Sequence, residues 1–371
     1  MSLSIGIVGL PNVGKSTLFN ALLKRQAALV ASYPFATIEP NIGIVDVPDN
    51  RLQKLVKVVK NDWQDKYKDR EVPERVVPTV IKFYDIAGLV KGAAQGEGLG
   101  NEFLGHIREV DAVVHVIRGF EDPNVARAGS ENPESDLETI NLELILSDLQ
   151  LLEKYIQALS REVRGPKSKE FTKKLSILKN IKEKLEAGKL ASELNIAEED
   201  LEIIKDVNLL TIKPTIYVLN VNEDKLNNNN TQNTNPKGLE VINICAKVES
   251  DLASFSEDER TEYMTELGIN ECGLDKIIKA GYSILDLESF FTIGPKEVHA
   301  WTVKKHTKAL NAAGKVHTDF ERGFISCEVI NTNNLVKIES VKKAKELGQV
   351  RLEGRNYIIK DGDVVRFNFN V

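Results

Sequence analysis

The sequence predicts an α/β protein built on a mostly parallel β-sheet with helices on both faces. Short apolar runs rich in β-branched residues alternate with helical patterns, which is typical of such sheets. A glycine-rich loop joins the first strand pattern to the first helical pattern. A long helical stretch at 134–206 interrupts the alternation, and a strand-rich segment follows from about residue 285.

The predicted strands are short apolar runs bounded by turn residues. Ser4–Gly9 begins the series and is followed by a helix at Lys15–Leu23. The later strands are Ile42–Val47, Val80–Tyr84, Ala112–Ile117, Thr215–Leu219 and Val241–Ile244. Ligands of such sheets bind beyond the carboxyl ends of the strands, so motifs at those ends are the candidate sites.

The helical stretch predicts an αα-hairpin that projects as an arm. Apolar residues recur at helical spacing on both sides of Gly165-Pro166, which supplies the turn. Ser135 and Glu138 have the spacing of a capping box, so the first helix is expected to begin after Ser135.

Three domains follow from these divisions, in a chain of 371 residues. The strand-rich segment surrounds one helical stretch and predicts a compact α+β module with its own core. We assign no chemistry to the polar segment 60–78, and 227–236 reads as a low-complexity surface insertion. The predicted boundaries are 1–133 with 207–283, 134–206, and 284–371.

The composition is that of an ordinary soluble globular protein, with 42% hydrophobic and 28% charged residues. The net charge of −6 does not indicate nucleic-acid binding by the whole molecule, so any such surface must be local. The three cysteines are far apart and predict neither a disulfide framework nor a zinc site, which fits a reducing cytosol. We expect a cytoplasmic monomer without a signal peptide or a membrane span.

The loop Gly9–Ser16 matches the phosphate-binding motif G-x-x-x-x-G-K-[ST] in the required strand–loop–helix context. Its glycines allow backbone N–H groups to surround phosphates at a helix N-terminus. Lys15 is expected at the β- and γ-phosphates, and the Ser16 hydroxyl at Mg²⁺. The predicted nucleotide-binding residues here are Asn12, Val13, Gly14, Lys15, Ser16 and Thr17.

Two further motifs predict the Mg²⁺ and γ-phosphate contacts. Asp85 and Gly88 form D-x-x-G at the end of a strand, so Asp85 is expected to hold Mg²⁺ and the Gly88 amide to sense the γ-phosphate. Thr37 is the candidate switch threonine at the metal. Lys15 and Gly88 are the predicted catalytic groups.

The position that orients the attacking water in Ras-like GTPases is occupied by Leu89, which cannot hydrogen-bond that water. Slow intrinsic hydrolysis or another water-positioning group is therefore expected. Gln95 and Glu97, in the glycine-rich stretch that follows, are candidates for that group.

Asn220–Glu223 stands where GTP-binding proteins have N-K-x-D, but Val221 replaces the lysine and Glu223 the aspartate. That aspartate binds the N1–H and N2 amine of guanine, which adenine lacks. The Asn220 amide can offer its oxygen to the adenine N6 amine and its nitrogen to N7. Cys245-Ala246 resembles the S-A of a base-supporting S-A-K loop.

Together these motifs resemble the Obg-related family of the YchF type, the Obg-like ATPases. The resemblance rests on G-L-P-N-V-G-K-S, P-F-A-T-I-E-P-N, D-I-A-G-L-V-K-G-A, G-E-G-L-G-N-x-F-L and N-V-N-E, with K-E-V-H-A-W-T-V, H-T-D-F-E-R-G-F-I and K-D-G-D-V-V-R-F-N-F-N-V further on. It implies a Ras-like P-loop NTPase domain, an inserted helical arm and a C-terminal TGS domain with a ubiquitin-like β-grasp fold. It also implies a preference for ATP over GTP and association with the ribosome.

The sequence departs from the family at one catalytic position. Members of the family can carry a histidine in the loop after the strand Ala112–Arg118, but Phe120–Arg127 contains none. Arg127 is a candidate for stabilising phosphate charge, and His115 is expected in the core. Resemblance to cation-dependent relatives makes Asn12 a candidate K⁺ ligand.

A local basic surface is predicted on the arm, where 161–189 carries ten basic and four acidic residues. This contrast with the net charge suits ribosomal RNA, although a solvated helix face has the same composition. Lys304, Lys305, Lys308 and Arg322 are further candidates, and Trp301 is expected in the core.

The leading hypothesis is a ribosome-associated, Mg²⁺-dependent ATPase that acts as a switch. A GTPase with relaxed base recognition and a translation-associated protein that uses ATP as a structural ligand are the alternatives. A small-molecule kinase fits least, since D-x-x-G and the base motif point to a switch protein.

Overall fold

The structure, a computed structural model, describes residues 3–30, 41–86, 99–127, 132–162, 168–226 and 241–370. Side chains are described in these ranges except at 26–30, 99–102, 162 and 168–170. The chain divides into two compact units, one of residues 1–45 with 82–277 and one of 46–81 with 278–371. These units do not coincide with the three sequence-based domains, whose boundaries stay a prediction.

The described residues contain twelve strands in two sheets. In chain order the strands are β1 (Ser4–Val8), β2 (Ile42–Asp46), β3 (Arg75–Val77), β4 (Val80–Asp85), β5 (Ala112–Arg118), β6 (Thr215–Asn220), β7 (Val241–Ile244), β8 (Leu287–Ile293), β9 (Glu297–Lys304), β10 (Phe324–Asn331), β11 (Arg351–Glu353) and β12 (Asp363–Phe369).

Thirteen α-helices accompany these strands in the described ranges. They are α1 (Lys15–Val30), α2 (Asn50–Trp63), α3 (Leu99–Glu109), α4 (Pro133–Glu162), α5 (Ser168–Glu186), α6 (Glu198–Ile204), α7 (Ala246–Leu252), α8 (Glu257–Glu266), α9 (Gly273–Ile284), α10 (Ala309–Val316), α11 (Thr318–Arg322), α12 (Thr332–Ile338) and α13 (Val341–Glu346). In this part of the chain we find no helix that combines the length and apolar character of a membrane span.

The sheet of the first unit has the strand order β2-β4-β1-β5-β6-β7. The pairs β1·β4, β1·β5, β5·β6 and β6·β7 are all parallel. Each residue of β1 and β5 is buried, as expected for central strands covered on both faces. This order brings the ends of β1, β4, β5 and β6 to one edge, so the predicted phosphate and base motifs meet there.

The arm consists of α4, α5 and α6 around an apolar core that includes Leu152, Leu178 and Ile181. The capping box predicted at Ser135 is wrong, because α4 already begins at Pro133. Asn132 precedes the helix, and its side-chain oxygen accepts from the Ser135 N–H at 2.8 Å. The Ser135 hydroxyl bonds back to the Asn132 backbone, so the reciprocal cap exists three residues earlier. The predicted Gly165-Pro166 turn lies outside the described residues.

A buried carboxylate fixes the return of the arm to the sheet. Asp148 of α4 is fully buried, and its oxygens accept from the Leu210 N–H at 3.0 Å and the Thr211 N–H at 2.8 Å. The Thr211 hydroxyl donates to the same carboxylate at 2.7 Å. Burial raises the pKa of Asp148, and these hydrogen bonds oppose the rise. The bonds hold the chain just ahead of β6.

The sheet of the second unit has the order β11-β10-β12-β8-β9-β3 and mixes parallel and antiparallel pairs. One apolar cluster packs α10 against Phe290, Val329 and Val365 of this sheet. Another places α2 and α12 against Phe291, Val298 and Val364. The sheet therefore has helices on both faces, and the predicted fold class is confirmed.

Residues 46–81, part of which carried no sequence assignment, belong to this second unit. Leu55 and Val59 of α2 are fully buried in the cluster with Phe291 and Leu335. Arg51 ties the helix to the turn before β12, since its guanidinium pairs with Asp361 at 2.6 Å. The strand β3 then adds to the sheet beside β9.

Leu55→Ala is expected to lower the free energy of unfolding of the second unit by about 2–5 kcal/mol, because it leaves a cavity in a core shared with β8 and β12. Both tryptophans, Trp63 and Trp301, lie in this unit, so urea unfolding followed by tryptophan fluorescence measures the effect. The exposed Lys54→Ala on the same helix is the matched control and should change stability by less than about 0.5 kcal/mol. An unchanged fluorescence transition in Leu55→Ala would contradict the assignment of α2 to this core.

Candidate functional site

The phosphate loop is held in a conformation that only special residues tolerate. Asn12 and Gly14 have φ angles of 63° and 99°, in the left-handed region. A Cβ atom at Gly9 would lie 2.5 Å from the Val116 carbonyl oxygen of β5. Glycine is therefore required at Gly9 by close backbone approach and at Gly14 by conformation. The loop leads directly into α1, where Leu18 N–H donates to Gly14 O at 3.0 Å.

Lys15 is buried inside this loop, with 7% of its surface exposed. Its ammonium donates to the carbonyl oxygens of Gly9 and Leu10, both at 3.0 Å. An ammonium carries three N–H donors, so these bonds leave one for a further acceptor. Burial lowers the pKa of Lys15, and the charge of Asp85 opposes that shift.

Asp85 ends β4 beside β1, and its carboxylate interacts with the Lys15 charge. Burial raises the pKa of Asp85, and Lys15 opposes this rise. Ser16 and Thr17 open α1 with exposed side chains. The structure thus places the predicted phosphate and metal residues of β1, α1 and β4 at one edge of the sheet.

Asn220, the first residue of the base motif, joins two loops of the site. Its Nδ2 donates to the Val13 carbonyl at 2.9 Å, and its Oδ1 accepts from the Ala246 N–H at 2.9 Å. Only 5% of the residue is exposed. The sequence interpretation gave both amide atoms to adenine, whereas in the structure both have protein partners. One N–H and one lone pair remain on the amide, so a base contact stays a prediction.

Gly14 and Asn220 touch. A Cβ at Gly14 would lie 2.2 Å from Asn220 Nδ2, which is far inside van der Waals contact. The base strand and the phosphate loop therefore pack against each other only because position 14 has no side chain.

A cleft of about 780 Å³ opens beside this contact. The predicted base residues Asn220, Val221, Cys245 and Ala246 line it together. The other lining residues are Gly14, Thr17, Phe120, Glu121, Asp122, Asn222, Glu223, Asp224, Lys247, Glu266 and Leu267. Cys245 precedes α7, and burial raises the pKa of its thiol.

The loop after β5 also lines the cleft, a role that the sequence interpretation did not give it. Phe120, Glu121 and Asp122 line the cleft directly after β5 ends. Its position follows from the strand order of the sheet, because β5 stands between β1 and β6 and its end lies between the two motifs. The loop carries neither a phosphate-binding nor a base-reading motif, so the sequence did not indicate that it lines the cleft.

Several predicted residues lie outside the described ranges. They are Thr37, Gly88, Leu89, Gln95 and Glu97. The low-complexity segment 227–236 also lies outside them.

Two further residues named in the sequence analysis, His115 and Arg127, have contacts within the protein. His115 is 2% exposed in β5, as predicted, and burial lowers its pKa to about 3. Within the described residues its Nε2 has no hydrogen-bond partner. Arg127 forms an ion pair with Asp136 at 3.1 Å, which ties it to the start of the arm.

The prediction that Trp301 lies in the core of the second unit can also be compared with the structure. Trp301 is only partly buried and stacks on His299, with ring centroids 3.7 Å apart. Its indole N–H donates to Thr292 at 3.0 Å. The expectation that Trp301 is a core residue holds for the face packed beside Phe290, not for the whole side chain.

A strand–loop–helix with a buried lysine, next to a strand that ends in aspartate, defines a P-loop nucleoside triphosphatase of the GTPase type. Residues 4–153 match the family model described as 50S ribosome-binding GTPase. Residues 287–370 match the model of the YchF-GTPase C-terminal domain, described as a protein of unknown function (DUF933).

Relatives match over the whole chain. The Ribosome-binding ATPase YchF of Bacillus subtilis (strain 168) is 48% identical over 380 residues, and that of Escherichia coli O157:H7 is 45% identical over 377 residues, with 100% of both chains covered. The solved structure of the Schizosaccharomyces pombe YchF GTPase is 34% identical with a TM-score of 0.86, covering 99% of this chain and 98% of that one. The chain belongs to the YchF family, as the sequence motifs predicted.

Gly14→Ala is expected to weaken nucleotide binding at least tenfold, because a Cβ would collide with Asn220 and strain the positive φ at a cost of about 1 kcal/mol or more. Fluorescent-nucleotide titration measures this change. Gly105→Ala is the matched control: this glycine lies inside α3, and its Cβ would meet nothing within 4 Å. The control should bind nucleotide normally and gain roughly 0.5–1 kcal/mol of helix stability. Equal binding by both variants would contradict the close packing of Gly14 on Asn220.

Proposed function

We propose that this protein hydrolyses ATP in a Mg²⁺-dependent reaction and acts as a ribosome-associated nucleotide switch in translation or the stress response. The single observation that carries the hydrolase assignment is Lys15, buried in a glycine loop with one ammonium donor left over and Asp85 nearby. The bacterial relatives named Ribosome-binding ATPase YchF support the ATPase and ribosome assignments.

The phosphates would lie against the loop amides, at the N-terminus of α1. There the remaining Lys15 N–H would reach the β- and γ-phosphates, and the Gly88 amide would sense the γ-phosphate. The donors fit Mg²⁺, because hydroxyl and carboxylate oxygens are the ligands that it prefers. Ser16, Thr37 and Asp85 would hold the ion, which neutralises phosphate charge when bound.

Basal turnover is expected to be slow, since Leu89 offers no hydrogen bond to an attacking water. A monovalent cation, K⁺ in the first instance, is one candidate for raising it. Asn12 would supply the ligand through its side-chain oxygen, because its Nδ2 already donates to the Ala126 carbonyl at 3.2 Å. The ribosome is the other candidate activator.

The base motif supports adenine as the base because it lacks the lysine and the aspartate of N-K-x-D. Val221 is 6% exposed and supplies no charged stem, and Glu223 extends one methylene further than the aspartate of N-K-x-D. A second candidate, GTP hydrolysis with relaxed base recognition, is favoured by one observation. The cleft is lined by the carboxylates of Glu121, Asp122, Glu223, Asp224 and Glu266, and carboxylates can accept the donors of guanine as well.

The arm supports ribosomal RNA as a partner only in part. Three of its lysines are neutralised within the arm, in the pairs Lys173–Asp200 at 2.8 Å, Lys174–Asp206 at 2.5 Å and Lys182–Glu186 at 2.9 Å. Among the side chains of the arm that the structure describes, Arg161, Lys179 and Lys189 are exposed and are candidates for phosphate contacts. Association with ribosomes would place the protein in the cytoplasm, as the relatives named Ribosome-binding ATPase suggest, and the monomeric state stays a prediction.

Titration of the protein with ATP and GTP, with and without Mg²⁺, tests the nucleotide assignment. We expect ATP to bind more tightly, and Mg²⁺-dependent phosphate release that Lys15→Ala lowers at least 100-fold, since it removes the buried charge at the phosphates. GTP binding tenfold tighter than ATP binding would favour the second candidate. ATP binding without phosphate release, even with ribosomes added, would indicate a structural nucleotide.

Ribosome association is tested by co-sedimentation of a double variant of the arm, Lys179→Glu with Lys189→Glu. We expect it to lower association several-fold, with a weaker dependence on salt, because phosphate contacts release counterions. The double variant Lys54→Glu with Lys57→Glu changes net charge equally at exposed positions of α2 and is the matched control. Equal loss in both variants would assign the effect to bulk charge rather than to the arm.

A further inference from the structure

The loop after β5 spans 119–127 and links the two halves of the nucleotide site. We call it the β5 loop. It follows β5, which pairs with the phosphate-loop strand β1 on one side and with the base strand β6 on the other. Phe120, Glu121 and Asp122 face the same cleft as the base motif. The loop therefore forms a wall of the cleft that no sequence motif marks.

The Asn222 side chain joins this wall to the base strand through two hydrogen bonds, which we call the latch. Its Oδ1 accepts from the Glu121 N–H at 3.0 Å, and its Nδ2 donates to the Glu121 carbonyl at 3.3 Å. Both amide atoms of one side chain thus hold the backbone of a single residue. The Gly119 N–H adds a bond to the Asn220 carbonyl at 2.8 Å. The described side-chain hydrogen bonds of the third residue of N-V-N-E are both to the β5 loop.

The rest of the β5 loop is held by two other residues, Arg118 at the end of β5 and Asn12 of the phosphate loop. Arg118 is 4% exposed and donates to the carbonyls of Phe120 at 3.3 Å, Val125 at 2.9 Å and Ala126 at 3.2 Å. Its guanidinium also lies over the Phe120 ring, 4.4 Å from the centroid. Asn12 of the phosphate loop donates to the same Ala126 carbonyl at 3.2 Å.

We propose that Asn222 is a positioning residue for base recognition: it holds the β5 loop against the cleft, so that purine affinity depends on a side chain whose bonds are to protein. The proposal rests on the proposed function, because it takes the cleft as the site of the purine. Arg118 and Asn12 keep the far end of the loop in place without Asn222. Removing the latch therefore loosens the wall of the cleft at the base. It does not change the phosphate loop, because Asn220 holds that loop by a separate bond to Val13.

The test compares the affinities of three probes for the full chain: Mg²⁺·ATP, Mg²⁺·GTP and Mg²⁺·tripolyphosphate, which has no base. Asn222→Ala removes both bonds of the latch, and we expect about tenfold weaker ATP binding and a smaller ATP-to-GTP affinity ratio. Tripolyphosphate binding and the thermal midpoint should stay at the wild-type values. Asn222→Asp keeps the acceptor for the Glu121 N–H and loses the donor, so an intermediate loss is expected.

Asn124→Ala is the matched control, an identical change in the same loop at an exposed residue outside the cleft lining. It should bind all three probes like the wild type. The inference is overturned if Asn222→Ala binds ATP normally, or if its affinity for tripolyphosphate and its thermal midpoint fall together with ATP affinity. Failure of the wild-type protein to bind ATP would instead overturn the proposed function, so the two failures are distinguishable.

Discussion

The contact between Gly14 and Asn220 is the constraint on which the nucleotide site depends. The Asn220 amide joins the Val13 carbonyl to the Ala246 N–H, with 95% of the residue removed from solvent (5% exposed). A buried amide that lost either partner would carry the cost of an unsatisfied polar group, about 1–3 kcal/mol. Because losing either hydrogen bond is costly, Asn220 holds the ends of β1, β6 and β7 together. The glycine at position 14 follows from the same contact, since any Cβ there would occupy the space of the amide.

The electrostatics of the phosphate half centre on Lys15, which is buried in the phosphate loop. An ammonium in this position must find acceptors, and the Gly9 and Leu10 carbonyls provide them. Its pKa is lowered by burial, while Asp85 at the neighbouring strand end favours the charged form. Full burial, and secondarily the same positive charge, lowers the pKa of His115 and keeps the imidazole neutral. The protein thus holds a desolvated positive charge where triphosphate charge would gather, which is the arrangement that preorganised electrostatic stabilisation requires.

The sequence predicted features that depend on neighbours in the chain, and missed those that depend on distant ones. The phosphate loop and the alternating strands are local patterns, and the structure has them where they were expected. The helix α2 was not recognised as part of the second unit, because its apolar partners, Phe291 and Leu335, stand more than two hundred residues later. The start of the arm shows a smaller error that is local, since Ser135 matches a capping pattern but Asn132 precedes it and takes the cap. The Asn222 latch crosses about a hundred residues and leaves no local signal.

The base motif is best understood as four residues with separate tasks. Asn220 braces two loops, the Val221 N–H bonds to the Ile244 carbonyl at 2.7 Å, and Asn222 holds Glu121. Glu223, which opens a short 3-10 helix with an exposed side chain, is the member of the motif that faces the cleft without a packing task. A motif divided in this way can change at its fourth position without disturbing the fold, because the residues that carry the packing stay as they are. The departure from N-K-x-D at Glu223 therefore leaves the packing of the motif intact.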